Sequence, residues 1–338
     1  MKRKITRLTA IAMAAILTTG TSLLPKTAYA AEDTHAITYN ESAMDENFYS
    51  GEDINTSIAP DEEYKKWAYT FDNEHNIINL LNLKDKNQTN LIIYDNYMIN
   101  GKCYKAELYN AKNTFVSNKT LESVIFGKNV KISACISDGS ATGLFSGCTN
   151  LKKVDFNNSL SYGTVKSMYC MFADCTSLKE INFGNVNTIN VTTMSSMFRG
   201  CSSLTNLDLS GFDTRNVTTM STMFMDCSSL TSLDLSNFIT RNTTTMSAMF
   251  KNCSQLTDLN VSRFNTSNVT GMLNMFINCT SLTTLDLRSF DTNKLEPGQD
   301  TGIFSNCSAL TKVDVTTDKW TKTTKFYLGI DPSILQYH

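Results

Sequence analysis

Cys175, Cys201, Cys227, Cys253 and Cys279 recur every 26 residues, each three residues beyond the Phe of a Met-Phe pair. A fixed period of this length constrains the fold more than any single motif. One such unit has too little apolar surface to close a core, so it must stack on its neighbours. Aligned on the cysteines, successive units read "CTSLKEINFGNVNTINVTTMSSMFRG", "CSSLTNLDLSGFDTRNVTTMSTMFMD", "CSSLTSLDLSNFITRNTTTMSAMFKN" and "CSQLTDLNVSRFNTSNVTGMLNMFIN". The next, "CTSLTTLDLRSFDTNKLEPGQDTGIFSN", is longer and loses the methionine pattern. Looser copies begin at Leu121, Cys148 and Cys307.

Each unit carries two apolar periods. In "LTNLDLS", Leu207 and Leu209 alternate with Asn206, Asp208 and Ser210, as in a strand with one buried face. In "NVTTMSTMFMDC", Val217, Met220, Met223, Phe224 and Cys227 form one stripe of a short helix. Asn216 suits the N-cap of that helix, with Asn190, Asn242 and Asn268 in the same place. Phe212 turns inward, and Asp213 and Thr214 make the connecting turn. The spacing L-x-x-L-x-L-x-x-F is that of leucine-rich repeats. It predicts an α/β solenoid with a parallel sheet on one face and short helices on the other. Strand-like segments at Leu121, Leu151, Leu178, Leu204, Leu230, Leu256, Leu282 and Leu310 give eight coils. At a rise of about 4.8 Å per coil, the array is on the order of 40 Å long.

The strings "NVTTMSSMFRGCSSLTNLDL" and "NVTTMSTMFMDCSSLTSLDL" resemble the BspA-type leucine-rich repeats of bacterial surface proteins, through M-F-x-x-C-x-x-L-x-x-L-x-L. The resemblance covers residues 121–315. It implies a secreted or surface-displayed binding protein, often linked to adhesion, with no catalytic residues to carry over. This chain departs from many such proteins in showing no recognisable wall-binding module.

The regions around the array divide by composition. Lys2, Arg3, Lys4 and Arg7, an apolar stretch over residues 11–17 and Ala28-Tyr29-Ala30 read as a secretory signal peptide, residues 1–30, cleaved after Ala30. Its apolar stretch is too short for a membrane span. Five of the chain's basic residues leave with it, so the formal charge of −2 becomes about −7. All of that excess lies in residues 31–60, where seven acidic and no basic residues predict a flexible acidic arm. The charge elsewhere balances, so nothing attracts nucleic acid. Residues 61–120, with an Asn100-Gly101 hairpin turn, read as an N-terminal cap of short strands. Eight of the twelve tyrosines beyond residue 30 fall between Tyr39 and Tyr109. Residues 316–338, with Trp320, Phe326, Tyr327 and Leu328, read as a C-terminal cap.

Candidate chemistry is weighed against packing in the same register. Cys148, Cys175, Cys201, Cys227, Cys253, Cys279 and Cys307 share one place, an odd number without the close Cys/His pairs of zinc sites. A ladder of buried thiols is the simplest account, with disulfides as the alternative. Cys103, Cys135 and Cys170 stand outside it. Cys170 takes the slot of Ser196, Thr222, Ala248 and Asn274, off the apolar stripe, and is the candidate accessible thiol. The M-x-x-M pairs are soft donors suited to Cu(I), but they equally fill a core. Asp155, Asn182, Asp208, Asp234, Asn260, Asp286 and Asp314 form one outward strand register. It is the candidate ligand face, for Ca²⁺ or a polar, carbohydrate-like molecule, with a solvated surface as the alternative. The three histidines, His35, His75 and His338, are scattered, and no catalytic or phosphate-binding motif occurs. The expectation is a non-enzymatic binding protein without metal or cofactor, whose partner is a protein or glycan at a cell surface or in a matrix. A spacer of the cell envelope is the alternative.

Overall fold

The apolar alternation of each unit closes into a coil whose neighbours complete its core. The computed structural model of the chain describes residues 54–109, 114–133, 143–320 and 328–338. The signal peptide, most of the acidic arm, Cys135, Phe326 and Tyr327 lie outside the described residues. The architecture is a β-solenoid of about eight turns with parallel strands.

The N-terminal region opens with an antiparallel pair, β1 (Trp67–Asp72) and β2 (Ile77–Leu83). Strands β4 (Asn96–Ile99) and β5 (Lys102–Tyr109) form a hairpin around Asn100-Gly101, both at positive φ as a type I′ turn requires. Parallel pairing then takes over: β5 lies between β2 and β7 (Lys131–Ser133). Strand β3 (Asn90–Ile93) starts a second sheet that runs through β6 (Ser123–Phe126), β8 (Lys153–Asp155) and β9 (Glu180–Asn182). Because β3 pairs directly with β6, the solenoid's ladder already begins inside the region read as a cap.

Further on, β10 (Ser232–Asp234) pairs with β11 (Asp258–Asn260). Strand β12 (Thr284–Asp286) pairs with β13 (Lys312–Val315), which is covered by the C-terminal β14 (Leu335–Tyr337). The sheet is therefore interrupted rather than continuous. One break, between β9 and β10, coincides with the inward aromatic moving from Phe183 to Phe212, whose rings meet edge to face at 4.9 Å.

The predicted helices are absent: the described residues contain no α-helix. In an α-helix every N–H from 220 to 227 would return to the carbonyl four residues back. Here alternate N–H groups leave the coil. Met220, Thr222, Phe224 and Asp226 donate to the carbonyls of Thr245, Ser247, Met249 and Lys251 in the next coil, at 2.8–3.1 Å. Between them, Met223, Met225 and Cys227 donate three residues back, making successive tight turns. Two residues per coil take left-handed backbone to allow this, Thr222 at φ 57° and Asp226 at φ 63°. Ser196 with Gly200, Ala248 with Asn252, and Asn274 with Asn278 repeat the pair. That stacking gives each segment the isolated parallel bridges Thr193–Thr219–Thr245–Gly271.

The core consists of files of like residues, one per coil. Phe115, Phe145, Phe172, Phe198, Phe224, Phe250, Phe276 and Phe304 stack nearly parallel, with centroids 5.0–5.8 Å apart. The paired methionines from Met194 to Met275 are buried beside them. Each such side chain contributes about 1.5–3 kcal/mol by leaving water.

Candidate functional site

The outward strand register is built as expected but chemically engaged. Asp155 faces Asn182, Asp234 faces Asn260, and Asp286 faces Asp314 across adjacent parallel strands. From Asp155 to Asp286 the side chain turns back on its own chain. Asp155 Oδ1 accepts from the Asn157 N–H at 2.7 Å, and Asn182 Oδ1 from Gly184 at 3.0 Å. Asp208 and Asp234 accept from the N–H groups of Ser210 and Ser236, both at 2.9 Å, and Asn260 from Ser262 at 3.3 Å. These are Asx turns that end each strand. The Asn182 amide also donates to Asp155 Oδ1 at 3.0 Å.

At the C-terminal end the carboxylates pair with local basic side chains. Asp286 holds Arg288 through Nε and Nη2 at 2.9 and 2.7 Å. Asp314 lies 2.9 Å from Lys312 Nζ and 2.6 Å from His338 Nε2. The Ser210 and Ser236 N–H groups hold Asp208 and Asp234 below the usual carboxylate range. The Arg288 side chain does the same for Asp286, and Lys312 with His338 for Asp314. Among the described residues no group of three or more His, Cys, Asp or Glu gathers as a metal site would need.

The cysteines divide differently from expectation. All seven register thiols are free and buried, and each donates to the carbonyl of a Phe one coil back. Cys227 reaches Phe198 O and Cys253 reaches Phe224 O, both at 3.1 Å. Burial pushes the Cys227 thiol up to about 12. Cys170 is not the accessible thiol: it is only 3% exposed. Its slot is the first left-handed position of the coil, at φ 53°, where the equivalent Ser196 and Thr222 hydroxyls bond to each other between coils. The side chain is therefore folded along the stack, and burial raises its thiol pKa. Among the described residues the exposed thiol is Cys103, on β5.

Two ladders carry structural roles that differ from their sequence assignment. Asn190, Asn216, Asn242 and Asn268 are not helix N-caps; their amides donate to Gly163, Ile189, Arg215 and Arg241 carbonyls one coil back. Thr188, Thr214, Thr240 and Thr266 are fully buried, and each hydroxyl spans to the next coil. Thr240 donates to Asn265 O at 2.9 Å and accepts from the Asn265 N–H at 2.7 Å. The invariance of Thr at this place in every unit was the available signal.

A cluster of aromatic rings lies on the N-terminal strands. Tyr64, Tyr69, Phe71 and Tyr104 form a row of ring contacts with centroids 5.6, 5.2 and 4.6 Å apart. Phe71 is 37% exposed. Lys84 Nζ lies 5.7 Å from the Tyr69 ring centroid and Lys102 Nζ lies 4.9 Å from that of Tyr104. The tyrosine count pointed to this region, but only the pairing of β1, β2 and β5 brings Phe71, Lys84 and Lys102 to it.

The family described as "Mycoplasma protein of unknown function, DUF285" matches residues 140–258, 166–284 and 231–327, together more than half of the chain. No curated protein matches the sequence. Among solved structures, a leucine-rich repeat protein from Bacteroides ovatus is 18% identical over 75% of this chain and 72% of its own, with a TM-score of 0.41. One from T. pallidum is 15% identical over 67% and 91%, with a TM-score of 0.33. A leucine-rich cell surface protein from Faecalibacterium prausnitzii is 14% identical over 80% and 93%, with a TM-score of 0.29. The chain belongs to the family described as "Mycoplasma protein of unknown function, DUF285".

Proposed function

We propose that the protein is exported and acts as a surface-displayed or secreted binding protein, in adhesion to a host, a neighbouring cell or matrix. The solenoid serves as a stiff mount, and the N-terminal strands carry the contact surface. The observation behind this reading is the contrast between two surfaces. The Asp/Asn register already spends its oxygens on Asx turns and local cations, whereas the row from Tyr64 to Tyr104 leaves the Phe71 ring exposed, with Lys84 beside Tyr69 and Lys102 beside Tyr104. Aromatic residues supply most of the energy in binding hot spots. Among the described residues no helix is long and apolar enough to cross a membrane. The alternative role as a spacer draws on the same engaged face, since an array without free surface groups needs no ligand of its own.

The test is a binding screen of residues 31–338 against matrix proteins and glycans, repeated with Tyr69→Ser/Phe71→Ser and with Asp208→Asn/Asp234→Asn. Loss of attachment in the aromatic variant alone supports the reading. Loss in the Asp variant alone transfers the site to the sheet face. No binding by any form leaves the spacer role.

A further inference from the structure

We infer that the solenoid carries a flexible joint at residues 204–211, where the coils before it swing about a hinge formed by the tight-turn side of the stack. The inference goes beyond the binding reading and applies equally to a spacer. Adjacent coils are joined on two sides, along the strands and along the tight turns. On the strand side β8 pairs with β9, and Lys179 and Phe156 N–H groups reach Lys152 and Asn182 carbonyls at 2.9 and 2.8 Å. Strand β10 pairs with β11, and Thr257 and Leu235 N–H groups reach Thr231 and Asn260 carbonyls at 2.9 and 3.0 Å. Residues 204–211, between these pairs, belong to no strand. Among the described residues no hydrogen bond joins them to residues 178–187. Toward the following coil they keep one backbone bond, Thr231 N–H to Thr205 O at 3.2 Å, and one clasp. The Asn237 amide donates to the Leu209, Ser210 and Phe212 carbonyls at 3.0–3.2 Å. Toward the preceding coil that clasp is missing as well, because Gly211 stands one period before Asn237.

The tight-turn side crosses the same junction unbroken. Met194, Ser196, Phe198 and Gly200 donate to the Thr219, Ser221, Met223 and Met225 carbonyls at 2.8–3.1 Å. Phe198 stacks on Phe224 at 5.6 Å, and the Thr188 hydroxyl still spans to Asp213. Hydrogen bonds tolerate little stretching. Edge-to-face rings, by contrast, stay favourable at centroid separations of about 4.5–7 Å. The strand side of the junction is held by such a ring contact, Phe183 on Phe212 at 4.9 Å. It can therefore open by about 2 Å while the turn side stays bonded, and that motion is a bend. The gap between β11 and β12 differs, because Phe264 and Phe290 remain stacked across it at 6.0 Å.

Double electron–electron resonance on residues 31–338, in a Cys103→Ser/Cys135→Ser background, tests this. Nitroxides on Lys152→Cys/Thr257→Cys span four coils on the strand side, and nitroxides on Lys166→Cys/Thr270→Cys span the same four on the opposite side, about 19 Å of stack in each case. The strand-side pair gives a distance distribution about twice as broad as the other. Gly211→Asn supplies the missing clasp and narrows the strand-side distribution toward the turn-side width. Phe183→Leu/Val186→Phe continues the Phe212–Phe290 file across the junction and narrows it too. Equal widths for the two pairs in the otherwise unaltered chain overturn the proposal, whatever the variants do. So does a strand-side width that both variants leave unchanged while circular dichroism shows them folded.

Discussion

Cys227 shows how a chemically suggestive residue becomes a packing group. Its thiol has lost water and gained one carbonyl, Phe198 O, so it has neither the access nor the thiolate fraction for reaction. Native protein treated with iodoacetamide at neutral pH should therefore label Cys103 and spare Cys170 and the seven register cysteines until denaturant is added. Peptide mapping by mass spectrometry reads this, and rapid native labelling of Cys170 would contradict the buried slot. Thr240→Val keeps the shape but strands the carbonyl and N–H of Asn265, a loss of about 1–3 kcal/mol in urea unfolding. An unchanged midpoint would mean that water replaces the hydroxyl.

The carboxylates of the outward register carry a sign that pH can test. Asp208, Asp234, Asp286 and Asp314 are all held below their ordinary range in the folded protein. Their contribution is therefore complete above the unfolded value of about 3.9 and lost as pH falls through the lower folded values. Asp234→Asn keeps the acceptor, as Asn182 and Asn260 do in the same place, so stability at pH 7 should hold while the acid loss becomes shallower. An acid profile identical to that of the parent would place the effect elsewhere.

At the scale of the element, the strands were legible and the helices were not. Alternation in "LTSLDLS" predicts a buried Leu233 between outward Ser232 and Asp234, and β10 has that pattern. The stripe Val217, Met220, Met223, Phe224 and Cys227 is also buried throughout, so the apolar face was read correctly. Its backbone was not. A stripe repeating every three to four residues fits a helix and a chain of tight turns alike, and what separates them is where the N–H groups go. Ala248 exposes the cost, because it holds φ 54° without the glycine that favours such backbone. Ala248→Gly should stabilise the protein by about 1 kcal/mol, measured by chemical denaturation. Destabilisation instead would mean that the lost methyl contacts, or the wider freedom of glycine when unfolded, outweigh the relieved strain.

Across the whole molecule, files of Phe, Cys, Thr and Asn run from coil to coil, so every unit is interchangeable with its neighbours in register. Deleting residues 228–253 joins Cys227 to Ser254 and restores each file. The shortened protein should unfold cooperatively, with a urea m-value reduced in line with the lost surface. Deleting residues 228–247 joins unlike positions and should yield an unfolded or aggregating chain. Equal behaviour of the two deletions in circular dichroism and sedimentation would count against in-register stacking.

The 26-residue period, the alternating leucines and the cysteine register determined by themselves that the chain stacks into a solenoid and which face of apolar residues it buries. Tertiary structure decided the rest. Neighbouring coils compete for the same N–H groups that a helix would use, and they win because each coil meets a copy of itself at strand spacing. The same proximity closes the Asp/Asn register on its own turns and buries Cys170, while strand pairing brings Phe71 of β1 against Tyr104 of β5. None of these outcomes is local in sequence, so each had to wait for the stack.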